Sequence, residues 1–214
     1  MAHAAHSTAG PYQDSTLNFL YNLLFCDDLN LFKSNAQPPY APPFDVLFAD
    51  NAAAADIQKI VDDPQADPRA RLLACNQLRS RGLPTGPQTL LAIIVEVGLD
   101  DGLDVLASFV NGTARYINYT EKILVWETTT DPAVNKITEE LFVSGRQIIS
   151  QIGPWDQPRL PHPEKGNARI SFLVSDGLYF GEGPMNVLFE DPMAGPALVK
   201  ATELMLQLTE KSVS

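Results

Sequence analysis

His162 is the one histidine of this chain outside the first six residues, so an imidazole general base would have to be His162. A histidine acts in that role when a carboxylate orients it or neutralises its charge. Glu164 and Asp176 follow it in the chain and are the acids for such a set. Together they would suit a small cofactor-free hydrolase. The usual supporting marks are missing. There is no G-x-S-x-G elbow, no phosphate-binding G-x-x-x-x-G-K-[ST] loop and no G-x-G-x-x-G. Neither Cys26 nor Cys75 carries a cysteine-protease signature. No Cys or His pair has zinc-site spacing, so neither a metal nor a cofactor is expected. The acidic pairs Asp27-Asp28, Asp62-Asp63 and Asp100-Asp101 read as solvated surface or helix ends. Gly181-Glu182-Gly183 reads as a turn leaving the last strand.

Three segments point instead to binding. The first is 153–167, GPWDQPRLPHPEKGN, a long connection with few signs of regular structure. It carries Trp155, Arg159 and His162, and its prolines lower the entropy cost of holding one conformation. It suits a fixed binding loop; the plainer alternative is a surface loop with Trp155 tucked against the core. The second is a helix bearing Arg69, Arg71, Arg79 and Arg81 in a chain poor in basic residues. Arginine suits bidentate contact with carboxylate or phosphate, although a solvated face paired with local acids would look the same. The third is Arg115-Tyr116 with Asn118-Tyr119, which could line a pocket or simply pack across strands.

These residues sit in a chain of 214 residues with net charge −11 and an apolar fraction of 45%. A chain of that length buries roughly 70% of its unfolded surface and needs no disulfide or metal to fold. The acidic balance argues against nucleic acid and against anionic membrane surfaces. Cys26 and Cys75 read as reduced core residues of a reducing compartment. No Lys or Arg precedes Lys33, so the charged n-region of a secretory signal is missing. The apolar run from Leu17 is broken by Asn18 and Asn22 and is far short of the roughly 20 residues of a membrane helix. A cytoplasmic location is expected, and the N-x-[ST] matches at Asn111 and Asn118 read as coincidence.

The elements that must position the candidate residues follow from pattern. Residues 1–12 are small and polar and read as disordered. Asp14 or Ser15 caps a helix running to about Phe32, apolar almost all round, which implies burial or an interface such as a homodimer. The proline-rich stretch 37–44 must be extended. A short helix spans 51–61. Asp67-Pro68, Asp131-Pro132 and Asp191-Pro192 each set a capping carboxylate before a proline at the first helical position. Those helices end near Arg81, near Ile152 and at the C-terminus, and Gly145 marks a close approach on the second. Thr89–Val97 is a strand covered on both faces. Asn111-Gly112 and Asp176-Gly177 each predict a two-residue type I′ turn. The first pairs Phe109 with Ala114 and Ala107 with Tyr116, putting Val105, Ala107, Phe109, Ala114 and Tyr116 on one apolar face. A second, less regular turn falls around Thr120-Glu121.

The pattern predicts an α+β fold of about six mostly antiparallel strands. A four-strand meander is followed by helix, hairpin and closing helix, with N-terminal helices packed on the sheet. Residues 13–214 read as one domain, helical over 13–83 and sheet-containing over 88–214. The function expected is a non-enzymatic cytoplasmic interaction domain for a protein partner or small ligand. Its contact residues would be Trp155, Arg159, His162, Arg115 and Tyr116. The alternatives are the His162 hydrolase and a structural subunit of an assembly.

Overall fold

The computed structural model describes residues 10–100 and 102–212. The expected disorder of residues 1–9, with His3 and His6, and the Asp101 half of an acidic pair lie outside the described residues. Tyr12 does not follow the expectation for the leader. It is buried, and its hydroxyl donates to Leu103 O at 3.1 Å.

One antiparallel sheet organises the chain, in the strand order β4-β3-β2-β1-β5-β6. The strands are β1 (Leu90–Leu99), β2 (Gly102–Phe109), β3 (Ala114–Ile117), β4 (Ile123–Trp126), β5 (Asn167–Val174) and β6 (Gly177–Pro184). Five helices precede it: α1 (Ser15–Leu23), α2 (Leu29–Ser34), α3 (Phe44–Leu47), α4 (Ala54–Asp62) and α5 (Pro68–Ser80). Then come α6 (Pro132–Ile149) after the meander, and α7 (Met185–Glu190) and α8 (Ala194–Ser212) after the last hairpin. The fold is α+β, with helices on both faces of the sheet. Leu17, Leu24 and Phe25 join Leu73, Ala107 and Phe109 in the core on one face. Leu141, Phe142, Leu198 and Leu204 join Ile93 and Phe172 on the other. Each buried Leu, Ile or Phe side chain among these contributes about 1.5–3 kcal/mol.

The aspartate caps form as local chemistry demands. Asp67, Asp131 and Asp191 each accept from backbone N–H groups of the first turn that follows. Gly145 lets α6 approach β1, since a Cβ there would lie 2.7 Å from Ile93 Cδ1 and 2.9 Å from Leu90 Cδ2.

Three expectations are corrected. The helix expected from Asp14 to Phe32 is two helices. Asp14 caps α1 and Asp28 caps α2, with a sharp corner between them at Cys26, whose φ is +51°. The corner turns Leu24 and Phe25 into the chain's own core, so the apolar girth of this segment no longer argues for a dimer.

The β2–β3 turn is one residue longer than expected. Phe109 N donates to Thr113 O, and Gly112 N donates to Phe109 O with Gly112 at φ +89°. This is a type I turn closed by a left-handed residue, the next commonest hairpin solution. The register becomes Ser108↔Ala114, Ala107↔Arg115, Leu106↔Tyr116 and Val105↔Ile117. The face of β2 stands as expected, but a one-residue slip exchanges the faces of its partner. Arg115 and Ile117 therefore lie towards the N-terminal helices, and Ala114 and Tyr116 towards α6 and α8. The next turn repeats the device, with Asn118 N bonded to Lys122 O and Glu121 at φ +63°.

In the β5–β6 hairpin Val174 pairs with Gly177, so the two loop residues are Ser175 and Asp176 rather than Asp176 and Gly177. Gly177 keeps negative φ. Space explains the glycine, because a Cβ there would meet Pro154 Cβ at 3.0 Å.

Candidate functional site

The connection from α6 to β5 runs along the edge of β6 and then under α1. α6 closes at Ser150, short of the expected end near Ile152, and Gly153-Pro154 follow. Trp155 N then donates to Leu178 O at 2.7 Å, a single antiparallel bridge to β6. The indole meets the Phe180 ring edge to face at 5.2 Å and donates from Nε1 to Pro158 O at 3.0 Å. It remains 36% exposed, so Trp155 is neither a core residue nor a free one.

Arg159 turns inward. Its Nε donates to Asp27 Oδ2 at 2.9 Å and its Nη2 to Asn22 Oδ1 at 2.7 Å. The guanidinium lies 3.8 Å from the centroid of Phe25. The corner at Cys26 is what presents Asp27 to it. Arg159 thus fastens the loop to the α1–α2 corner rather than standing free for a partner.

The acid–base set is dispersed. His162 Nδ1 lies 3.2 Å from its neighbour's carbonyl, Pro163 O, and Glu164 is exposed. Asp176 sits at the far end of β5, where it accepts from Gln88 Nε2 and Tyr179 OH. An eight-residue strand separates it from the His162 end, roughly 25 Å at the usual rise per residue. Arg115 and Tyr116 are engaged elsewhere. Arg115 donates to Ala114 O and Trp126 O and pairs with Glu127. Tyr116 donates to Asp104 on the opposite face of the sheet. Neither lines the surface that Trp155 and Arg159 share.

That surface is a groove of about 990 Å³ between the α1–α2 corner, the C-terminal end of α5, the loop 155–159 and the β5–β6 turn. Asn22, Asp27, Asp28, Arg79, Trp155, Arg159 and Asp176 line it. At its floor is a pit of about 50 Å³ with Phe25, Leu72, Leu173 and Leu178 as apolar walls and Arg79 beside them.

The helical arginines separate here. Arg69 pairs with Asp67, Arg71 Nε donates to Val61 O and Arg81 Nη1 donates to Ala52 O. Arg79 alone reaches the groove. It bonds to neutral acceptors, Asn76 Oδ1 and, at 3.4 Å, Ser175 O. Burial pulls its pKa below the ordinary guanidinium value, with only partial relief from Asp176.

Towards the start of β5, away from the groove, lies a polar network that pattern reading missed. Glu96 is fully buried in β1, and its Oε1 accepts from Tyr21 OH at 2.6 Å. Arg169, its cross-strand neighbour on β5, comes within 3.7 Å of Oε2 but gives its short bonds to Glu182 on β6. Arg169 Nη2 also donates to Pro161 O at 2.6 Å, which anchors the loop. Burial raises the Glu96 pKa above the carboxylate range, more than the Tyr21 bond and Arg169 lower it. The signal was a lone acid in the apolar run Thr89–Val97. Its partner was not visible locally.

Both cysteines are free and buried, and burial pushes their thiols up, that of Cys75 to about 11. Thiols of that kind are inert. Among the described residues no group of three or more His, Cys, Asp and Glu could hold a metal ion. Nor, among them, is any helix long and apolar enough to cross a membrane. Comparison with protein-family models gave no match, and neither did comparison with curated proteins.

Proposed function

We propose that this chain is a non-enzymatic binding domain and that the groove beside Trp155 is its capture surface. The carrying observation is that the chain's own contacts hold the two large side chains of the groove in place. Arg159 is locked by Asp27 and Asn22, and Trp155 by Leu178, Phe180 and Pro158. Preorganisation of this kind reduces the ordering cost of binding. Trp and Arg are also the side chains that most often dominate binding energy. A cytoplasmic setting fits two reduced, buried thiols.

The two loop residues should now behave differently on truncation. Trp155→Ala should weaken capture while changing stability little, because the ring is partly exposed. Arg159→Ala should cost about 1–3 kcal/mol, since it breaks a charge-assisted bond and a close cation–π contact. Heteronuclear NMR against a mixed library of small ligands and short peptides tests the reading, with urea denaturation for stability. At least one compound should move the Trp155 indole resonance. A library that leaves every groove resonance still would sink the proposal.

One observation favours a second reading, a subunit of an assembly or a homodimer. Val143, Phe189 and Val199 are each more than a third exposed and share one shallow depression between α6, α7 and α8. Apolar depressions of this kind are typical contact surfaces. Light scattering should then show a species larger than the monomer that Val199→Asp dissociates. A monomeric wild type at micromolar concentration would remove the self-association form of this reading.

A further inference from the structure

We propose that Arg79 receives the carboxylate of a ligand whose short apolar tail fills the pit on the groove floor. The inference rests on the groove being the capture surface and names the chemistry it selects.

The groove carries the carboxylates of Asp27, Asp28 and Asp176 and the guanidinium groups of Arg79 and Arg159. Asp27 is neutralised by Arg159. Asp28 accepts from the N–H groups of Asn30 and Leu31 and keeps its charge. Asp176 accepts from Gln88 and Tyr179. The cation left without a carboxylate in contact is Arg79. Its hydrogen bonds use two of the five guanidinium N–H groups, both on neutral oxygens. A half-buried guanidinium in that condition lacks full hydration, and Asp176 offsets its charge only in part, without touching it. A carboxylate matches its remaining fork in geometry and in charge.

The pit sets the rest of the ligand. Its walls are Phe25, Leu72, Leu173 and Leu178, and about 50 Å³ admits only a group of a few heavy atoms. Gly177 keeps its mouth open. Negative φ makes no demand for glycine at 177, yet a Cβ there would stand 3.9 Å from Arg79 Nη1 and 3.0 Å from Pro154 Cβ. Any side chain there would have to push Pro154 aside and would crowd the guanidinium. A dianion is disfavoured, because one arginine without a carboxylate in contact faces it among three aspartates, of which only Asp27 is paired. The ligand is therefore a monoanionic carboxylate bearing a small branched or linear apolar group. Either a free short-chain acid or the C-terminal residue of a peptide presents that chemistry, and the wider groove has room for the remainder of a peptide.

The test follows the side-chain Nε–Hε resonance of Arg79 and the indole resonance of Trp155 in the intact protein. The probes are isobutyrate, isobutyramide, inorganic phosphate, and a Gly-Gly-Val peptide with a free or an amidated C-terminus. Isobutyrate should shift Arg79 saturably with a dissociation constant in the millimolar range, and isobutyramide should not. A free-acid peptide that binds at least tenfold tighter than isobutyrate, with no binding by its amide, assigns the site to chain termini; equal affinity assigns it to free acids. Arg79→Gln should lose tenfold or more in affinity. Arg79→Lys, which keeps the charge and loses the fork, should retain part of it and guards against a folding defect. Gly177→Ala should abolish the preference for isobutyrate over acetate. Arg79 shifts that are absent, that phosphate reproduces, or that persist in Arg79→Gln would overturn the proposal. Should the Trp155 indole still respond to library compounds in that case, the groove reading stands and only the carboxylate assignment falls.

Discussion

Replacing Arg169 by Met should cost about 3–5 kcal/mol, because it leaves the carboxylate of Glu96 buried without a counter-charge. Arg169 is 3% exposed and Glu96 fully buried, so solvent offers neither a substitute. Glu182 loses its partner as well, and the loop loses the bonds from Arg169 to Leu160 O and Pro161 O. Glu96→Gln alone should change stability by about 1 kcal/mol or less, since an amide can still accept from Tyr21. In the Arg169→Met background the same change should recover a large part of the loss. The pH dependence has a definite sign. The folded-state pKa of Glu96 lies above its ordinary value. Between those two values the folded protein holds a proton that the unfolded chain has released. The contribution of Glu96 to stability is therefore greatest below the ordinary carboxylate value and is lost as pH rises through the raised one. Removing Arg169 extends that window upward, so the variant should suffer more at pH 8 than at pH 5. Urea denaturation at both values, on the single and double variants, decides it. Equal losses at both pH values, or no recovery by Glu96→Gln, would show that the energetics of this network have been misassigned.

The parts of this fold that were legible in the sequence are those determined within a few residues. Asp67-Pro68 and Asp131-Pro132 start helices because cap, proline and apolar stripe agree over one turn. Thr89–Val97 announced a strand covered on both faces. The break at Cys26 was hidden because local propensity runs smoothly through it, and the benefit of the corner lies in burying Leu24 and Phe25 against distant residues. The turn at Gly112 shows a subtler limit. A glycine in left-handed conformation serves both the two-residue turn and the longer one, so Asn-Gly marks the hairpin without setting its register. One residue of slip then moved Arg115 and Tyr116 to the faces opposite those expected. The candidate groove was legible only in fragments. Trp155, Arg159 and Arg79 each stood out by type, but their shared surface is made by the β5–β6 turn and the α1–α2 corner, which bring together segments remote in the chain. Arg159 looked like a contact residue and is a fastener; Arg79, one of four similar arginines, is the one left facing the groove.

Gly98→Ala should destabilise the protein by about 3 kcal/mol or more, at the upper end of overpacking effects. Gly98 lies near the end of β1, opposite Leu103 on β2. On its other side the loop 163–166 closes on it, with Gly166 N donating to Gly98 O at 2.9 Å. A Cβ at 98 would stand 2.2 Å from Glu164 O and 2.8 Å from Pro163 O. Those are backbone atoms, so no rotamer change relieves the clash, and either the strand or the loop must move. Displacing the loop disturbs more than its own packing. Leu160 O and Pro161 O lie a few residues upstream and accept from Arg169, so the network around Glu96 loosens with it. Hydrogen exchange at the Gly166 amide should accelerate in the variant even where global unfolding is suppressed, because that bond opens first. Gly153→Ala is the matched control. Its Cβ would meet nothing within 4 Å and its φ is not positive, so its stability should stay within about 0.5 kcal/mol of wild type. A Gly98→Ala protein with wild-type stability and unchanged Gly166 exchange would mean that the loop does not close on β1 in solution.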